Sequence, residues 1–388
     1  MRNKVLLSLV TITTTAMALL TPISDAAPLQ KMEANQLVTL EKMRQVMQGS
    51  PDRFAGLSTR GSGDVTIHLL DKDRSAGRDL DAVMTAGSTD GMRIAVDYRK
   101  HSLAELTRIQ DAIPASKPFG ALGDELVRWG VDNDTNSVQV GVTRPTAELR
   151  AAAHEAFGDA VTVVPAEPLT LLPPRQVDPV STLGTGRRTD TTPFNGGDMI
   201  DVRPPGGGYC TSGFTLTNLF GTRYAITASH CGPLNQRYET NNRTNFGTVL
   251  FSHPSVDAEL VGGVSYRGVI WVGGTDTAAT RAPVHSTRDS CRGCAVYFDG
   301  AFTGQALSTL VGDPFCGSVA GRNVCDLQLT SSAAACQPGD SGGPVFAFDG
   351  LGGVIAVGII TAKDQFGRCV YTRIAPILAQ WTATITTG

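Results

Sequence analysis

Apolar residues recur with two different periods along this chain. In the first half the spacing is helical: Leu37, Leu40, Met43, Val46 and Met47 fall on one helix face, and Leu103, Leu106 and Ile109 repeat the pattern. Val138, Val140 and Val142 alternate as a strand does, Thr146 then begins a helix running to about Phe157, and Val161-Thr162-Val163-Val164 reads as a second strand. The sum is an α+β region ending in a strand-helix-strand unit. From about residue 193 the period changes. Short runs of Val, Ile, Leu, Phe and Tyr, at residues 214–219, 224–227, 248–252 and 354–360, are broken by Gly, Asn and Pro. About 200 residues of this kind predict one all-β domain, a sandwich or paired barrels, whose tight turns need the positive φ angles that glycine supplies.

The two parts differ in composition as well. All eight cysteines lie in the β-rich part, and charged residues are denser in the first. The seam, between about residues 173 and 192, is rich in Pro, Gly, Ser and Thr without periodicity, which predicts an exposed linker and a zone of proteolytic cleavage. At the start, Arg2 and Lys4 precede an apolar run over residues 5–20, and Ser24-Asp25-Ala26 places small residues where a signal peptidase reads. A membrane anchor is the alternative, but the run is shorter than the roughly 20 apolar residues a span needs, and threonines interrupt it. The expected division is a secretory signal over residues 1–26, an α+β region over 27–172, a linker with a processing site over 173–192 and a β domain over 193–388. Formal net charge is −3 and is slightly negative on both sides of the seam, which argues against nucleic acid or an anionic membrane as partner.

Candidate chemistry concentrates near the end of the chain, in Cys336-Gln337-Pro338-Gly339-Asp340-Ser341-Gly342-Gly343-Pro344. A serine hydroxyl is a poor nucleophile at its free pKa and needs a neutral base beside it, with donors for the oxyanion that forms. The amides of Gly339 and Ser341 are the expected donors, because glycine lets a tight turn point N–H groups inward. The string also satisfies the G-x-S-x-G elbow of α/β-hydrolases, whose triad runs serine, acid, histidine. No histidine follows Ser341, so the base is expected upstream and the order is His, Asp, Ser.

Three histidines of the β domain compete for the role of base. His230 ends the run Ala225-Ile226-Thr227-Ala228-Ser229 beside Cys231, a strand-end position pinned by a crosslink, whereas His253 and His285 read as surface or structural residues. Asp257 opens a short apolar strand in Ser255-Val256-Asp257-Ala258-Glu259-Leu260, as a buried carboxylate oriented toward an imidazole does. Asp276, Asp289, Asp299 and Asp313 read as solvated loop residues. Asp257 is therefore expected to accept Nδ1–H of His230 and stabilise the imidazolium. His68, His101 and His154 of the first region read as surface residues without a partner at metal or catalytic spacing.

Thr227-Ala228-Ser229-His230-Cys231, Asp257 and Gly339-Asp340-Ser341-Gly342-Gly343-Pro344, in that order, resemble the three signatures of chymotrypsin-fold serine proteases, above all the secreted bacterial branch that includes streptogrisins and α-lytic protease. Phe194-Asn195-Gly196-Gly197 and Cys369-Val370-Tyr371-Thr372-Arg373 are similar too. The resemblance implies an all-β catalytic domain of two six-stranded β-barrels with the triad in the cleft, a helix over residues 374–381, and peptide-bond hydrolysis through an acyl-enzyme by a monomer without cofactor or metal. It implies the disulfides Cys210–Cys231 and Cys336–Cys369, a structural Asp340, and a Thr361 hydroxyl that supports the triad aspartate. More weakly, the first region resembles the pro-regions of this branch in its strand-helix-strand unit and Trp129-Gly130-Val131-Asp132. Such a region acts as folding template or inhibitor of its own enzyme, which suits a double barrel rich in non-local contacts and slow to fold. A permanent inhibitory or substrate-binding domain is the rival reading.

By the same likeness, the pocket for the side chain before the scissile bond is walled by Ala333-Ala334-Ala335 and Ile360-Thr361-Ala362-Lys363. No carboxylate lies at its floor, so a buried Arg or Lys there is unfavourable, and the alanines favour a medium or large apolar side chain. Lys363, the single lysine of the β domain, either snorkels to solvent or leans into the pocket and favours acidic side chains. Cys291, Cys294, Cys316 and Cys325 allow three disulfide pairings or, on spacing, a zinc site, against which export and the even count speak. The expectation is a secreted serine endopeptidase made as a zymogen and acting on proteins or peptides. A catalytically silent homologue that binds, and an esterase or lipase, are the competing classes.

Overall fold

The computed structural model describes residues 34–60, 63–70, 77–88, 91–176, 186–204, 207–275, 279–333 and 336–388. The expected signal over residues 1–26, Asp276, and the pocket residues Ala334 and Ala335 lie outside them. The first region contains the two expected helices, Ala34–Gln48 and Leu103–Ala112. Leu40, Met43 and Met47 of the former pack on a three-stranded sheet, Phe54–Arg60, Asp64–Leu70 and Arg93–Arg99. The strand-helix-strand unit is also present. Thr146 accepts Leu149 N–H at 3.1 Å and caps helix Ala147–Phe157, after which Val161–Pro165 pairs parallel with Ser137–Val142.

The β domain consists of two barrels. In the first, the strand order is Tyr209–Thr211, Met199–Asp201, Arg237–Thr240, Asn245–His253, Ala258–Gly262, Arg223–Thr227, Thr215–Thr217 and Thr384–Ile385. Its first and seventh strands are joined by residues 212–214 alone. That connection covers at most about 14 Å, whereas six interstrand steps of a flat sheet would span about 29 Å. The sheet must therefore curl on itself, around Phe194, Ile200, Tyr238, Phe246, Val249 and Tyr266. In the second barrel, Val354–Lys363, Pro344–Phe348, Ala295–Gly300, Gly304–Val319, Arg322–Ala333 and Arg368–Arg373 pair in that order, and the last pairs back on the first. Every pairing is antiparallel, so six strands close a ring. The helix Ile374–Gln380 then buries Ile374 and Ile377 against Phe214, Ile226 and Ile359.

One sheet runs from the first region into the second barrel. Strand Leu126–Asp132 pairs antiparallel with Gly304–Val319, Trp129 opposite Cys316 and Arg128 opposite Gly317. Trp129 is buried, and Cys316 completes its apolar cluster. Of the stretch read as an exposed linker, Pro173, Arg175, Gln176, Thr191 and Thr192 are exposed as expected, whereas Arg187 and Asp190 are buried. Composition gave no sign of those two, because their partners, Asp299 for Arg187 and Asn195 for Asp190, are met only in the fold. His68 and His101, read as surface residues, are buried; His68 lies 2.7 Å from the Ser58 hydroxyl and His101 contacts Glu105 and Asp159.

The junction is close-packed. A Cβ on Gly130 would stand 2.8 Å from Phe315 Cβ and 2.9 Å from the Pro314 carbonyl. Gly130→Val is expected to cost about 1–3 kcal/mol by overpacking, read as a lower urea midpoint for the full chain. An unchanged midpoint would show that this junction contributes nothing to stability.

Candidate active site

Ser341 lies on a turn between the barrels that is bonded to both. Its carbonyl accepts Thr211 N–H at 2.9 Å, while Gly342 N–H donates to Ile360 at 2.8 Å and Ile360 N–H to Gly343 at 2.9 Å. Gly342 has φ +83°, and a Cβ there would collide with the Thr227 hydroxyl, so no larger residue fits. Asp340 beneath it is wholly buried. Its carboxylate accepts from the Phe302 amide (2.9 Å), the Thr303 amide (3.1 Å), the Gln337 amide (2.7 Å) and the Thr303 hydroxyl. Burial pushes the Asp340 pKa up, and these donors oppose the shift without cancelling it.

The other two groups come from the first barrel. His230 follows strand Arg223–Thr227, and the neighbouring disulfide Cys210–Cys231 ties that strand end down. Asp257 follows the short 3-10 turn Pro254–Val256 and adopts a left-handed φ of +43°, a conformation aspartate tolerates better than most residues. His230 Nδ1 lies 2.8 Å from Asp257 Oδ2, and His230 Nε2 lies 2.7 Å from Ser341 Oγ. The remaining oxygen of Asp257 accepts the Ser229 hydroxyl at 2.9 Å and the His230 amide at 3.1 Å. Desolvation lowers the His230 pKa, but the Asp257 charge and hydrogen bond, with the Leu172 carbonyl, outweigh it and raise the value above 6.5.

The cleft holds a piece of the chain itself. Thr170–Leu171 adds antiparallel to the end of Val354–Lys363, with Leu171 opposite Ala362 and Thr170 opposite Lys363. Leu172 N–H points to the Thr361 carbonyl at 3.5 Å, and the Leu172 side chain joins the apolar cluster of Cys336, Ile360 and Cys369. Ser341 Oγ donates to the Leu172 carbonyl at 2.7 Å, and His230 Nε2 lies 2.9 Å from the same oxygen. Gly339 N–H, an expected oxyanion donor, instead meets the Pro173 carbonyl at 3.0 Å. Beyond it, Arg175 and Tyr209 exchange two backbone hydrogen bonds of 2.9 Å. Residues 170–175 are thus bonded to the walls on both sides of the serine.

The structure brings together His230, Asp257, Ser341, Gly339, Thr361 and Ala362. It corrects several other expectations. The Thr361 hydroxyl meets that of Thr372 at 2.8 Å and does not reach Asp257; Ser229 fills that place. Lys363 is half-buried opposite Thr170, two residues before Leu172. Asp289 and Asp299, read as solvated, pair with Arg373 and Arg187, and Asp313 accepts the Asn133 amide. The disulfides are Cys210–Cys231, Cys336–Cys369, Cys291–Cys294 and Cys316–Cys325, so no thiolate of these remains for zinc. Sequence reading missed the occupant of the cleft. Its one signal was the apolar run Leu169-Thr170-Leu171-Leu172 just ahead of Pro173-Pro174.

No family model matches the chain, and no curated protein matches it. Solved structures do. Among them are the Nocardiopsis protease NAPase (22% identity, 50% of this chain and 98% of that one, TM-score 0.38) and the Cellulomonas bogoriensis chymotrypsin (23%, 50% and 98%, 0.39). A glutamic acid specific serine protease described as using a histidine triad in substrate binding also matches (23%, 50% and 100%, 0.41). The chain is similar to bacterial chymotrypsin-fold serine proteases. Its two barrels, with the three side chains between them, rest on the strand pairing above and not on that likeness.

A raised His230 pKa has a signed consequence. The folded value exceeds the unfolded one, so the associated stabilisation is full below about pH 6.5 and is lost as pH rises through the folded value. Titration of the His230 ring protons by NMR in the full chain should give a pKa above 6.5, and Asp257→Asn should lower it. A wild-type value at or below 6.5 would show that burial outweighs the Asp257 partner.

Proposed function

We propose that the chain is the precursor of a secreted serine endopeptidase, held inactive by its own first region. The observation that carries the reading is the hydrogen-bonded series Asp257, His230, Ser341, at 2.8 and 2.7 Å, with a peptide laid across it in the manner of a substrate. In hydrolysis, His230 takes the Ser341 proton as Oγ attacks a carbonyl carbon, Asp257 stabilises the imidazolium, and the Gly339 and Ser341 amides receive the oxyanion. The leaving amine takes the proton from His230, and water repeats the sequence on the acyl-enzyme.

Residues 170–175 bind without reacting because the Leu172 carbonyl is turned the wrong way. Its oxygen faces Ser341 Oγ and His230 Nε2, where it takes up both groups, while the Gly339 donor is spent on Pro173. The first region then serves as inhibitor and, through the strand it adds at Gly304–Val319, as a template for the second barrel. Leu172 marks the side chain the pocket accepts, and supports an apolar preference. Lys363, placed beside Thr170, belongs to a different subsite. Export is supported by the leader-like residues 1–26 and by four disulfides.

Processed protein should cleave a peptide library after Leu and similar apolar residues, and a serine-directed phosphonate should label Ser341. Ser341→Ala should lose about 10⁶-fold in kcat while still folding, and Asp257→Asn about 10⁴-fold. Cleavage after Glu or Asp would overturn the apolar preference. Absence of both cleavage and labelling, in protein freed of its first region, would establish a binding module instead.

A further inference from the structure

We infer that Arg187 is a positioning residue of the working enzyme, one that must stay with the β domain when the first region is removed. The inference rests on the endopeptidase reading. Residues 186–188 form a short 3-10 turn, and the Arg187 side chain is 0% exposed. Its guanidinium donates to Asp299 Oδ1 at 2.7 Å and to the Gly300 carbonyl at 3.0 Å. Asp299 is equally buried, and its other oxygen accepts the Gly273 amide at 2.7 Å. Burial pushes the Asp299 pKa up to about 6 even with the guanidinium beside it, so without Arg187 this carboxylate has no cation to hold it charged.

What Arg187 grips is the platform beneath the Ser341 turn. Gly300 packs against the Asp340 carboxylate so closely that a Cβ would collide with it. Ala301 N–H donates to the Thr211 hydroxyl at 3.0 Å, which in turn donates to the Gly339 carbonyl at 2.8 Å. The next two amides, Phe302 and Thr303, are those that hold Asp340. Arg187 therefore acts through residues 299–303 on the peptide units that aim the Gly339 and Ser341 amides. Its own hydrogen bonds go to Asp299 and Gly300 and not to residues 170–175, although Arg175 of that segment lies over the Phe302 ring of the same platform, 5.1 Å from its centroid.

The segment after Arg187 is fastened to the barrels as well. Asn241 N–H donates to the Arg188 carbonyl at 3.1 Å, and Asp190 accepts the Asn195 amide at 3.1 Å and its side-chain amide at 2.6 Å. A cut on the C-terminal side of Arg187 would detach a buried cation whose partner stays behind. The maturation cut is therefore placed ahead of Arg187.

Two measurements on the processed protein test this. Mass spectrometry of its N-terminus should find Arg187 retained; an active form that begins at Arg188 or later overturns the inference. Arg187→Gln should lower kcat on the order of 10–100-fold, the scale of a misplaced reacting geometry, with KM held within about 2-fold. Arg187→Lys, which can pair with Asp299 but not also span to Gly300, should recover part of the loss. Wild-type kcat in Arg187→Gln overturns the inference. If that variant does not fold, Arg187→Gln combined with Asp299→Asn removes the stranded carboxylate and is read by the same two criteria. Phosphonate labelling of wild-type Ser341 separates the failures: no labelling defeats the protease reading, whereas labelling with an unaffected Arg187 variant defeats only this one.

Discussion

The cleft depends on one buried carboxylate. Asp340 lies where an ionised group is costly unless hydrogen-bonded, and four donors from residues 303, 302 and 337 converge on it. Meeting that demand fixes the path of residues 337–343, and with it the Ser341 hydroxyl and the Gly339 amide. All four donors belong to the β domain and are present in the unprocessed chain. The turn therefore needs no group delivered by later cleavage. On the proposed reading, a precursor would be silenced by occupancy of a finished site and not by a site assembled only after the cut.

Occupancy uses sheet physics twice. The second barrel leaves pairing capacity at Ala362–Lys363 and along Gly304–Val319, and such edges recruit strands. The first region supplies one to each, Thr170–Leu171 and Leu126–Asp132. Main-chain bonds hold both in a way that depends little on side chains, so selectivity falls to a few buried groups: Leu172 at one edge, Trp129 against Cys316 at the other. The edge at Ala362 that pairs with Leu171 is the one a substrate backbone would use in the proposed enzyme, so inhibition and recognition would share one set of hydrogen bonds there.

Much of this could be read along the chain, and the failures share a cause. The His230, Asp257 and Ser341 motifs are local strings in which a strand end, a turn and its glycines are all encoded by neighbours, and the helices Ala34–Gln48, Leu103–Ala112 and Ala147–Phe157 announce themselves by period. What escaped is non-local. Asp299 and Asp289 looked solvated because their charge partners are distant in sequence: Arg187 and Arg373 lie 112 and 84 residues away. His68 is buried by strand partners that no period revealed. The strands Phe54–Arg60 and Arg93–Arg99 carry too mixed a pattern to stand out. Residues 173–175 read as linker because a proline-rich segment has one composition whether its backbone is free or, as here at Pro173 and Arg175, hydrogen-bonded to Gly339 and Tyr209.

For the proposed zymogen, sequence separation gives a reason for the first region to combine the tasks of template and plug. Closing the second barrel requires Arg368–Arg373 to find both Arg322–Ala333 and Val354–Lys363, while Gly304–Val319 and Arg322–Ala333 form a hairpin from neighbours alone. The hairpin is local, whereas ring closure pairs segments far apart in sequence and carries the larger loop-closure cost. A first region that holds the hairpin through Leu126–Asp132 and the end of Val354–Lys363 through Thr170–Leu171 brings those two parts of the ring together before closure. A template acting in this way must touch the substrate-binding edge. In the proposed zymogen, inhibition would then be a direct consequence of how the barrel is helped to close.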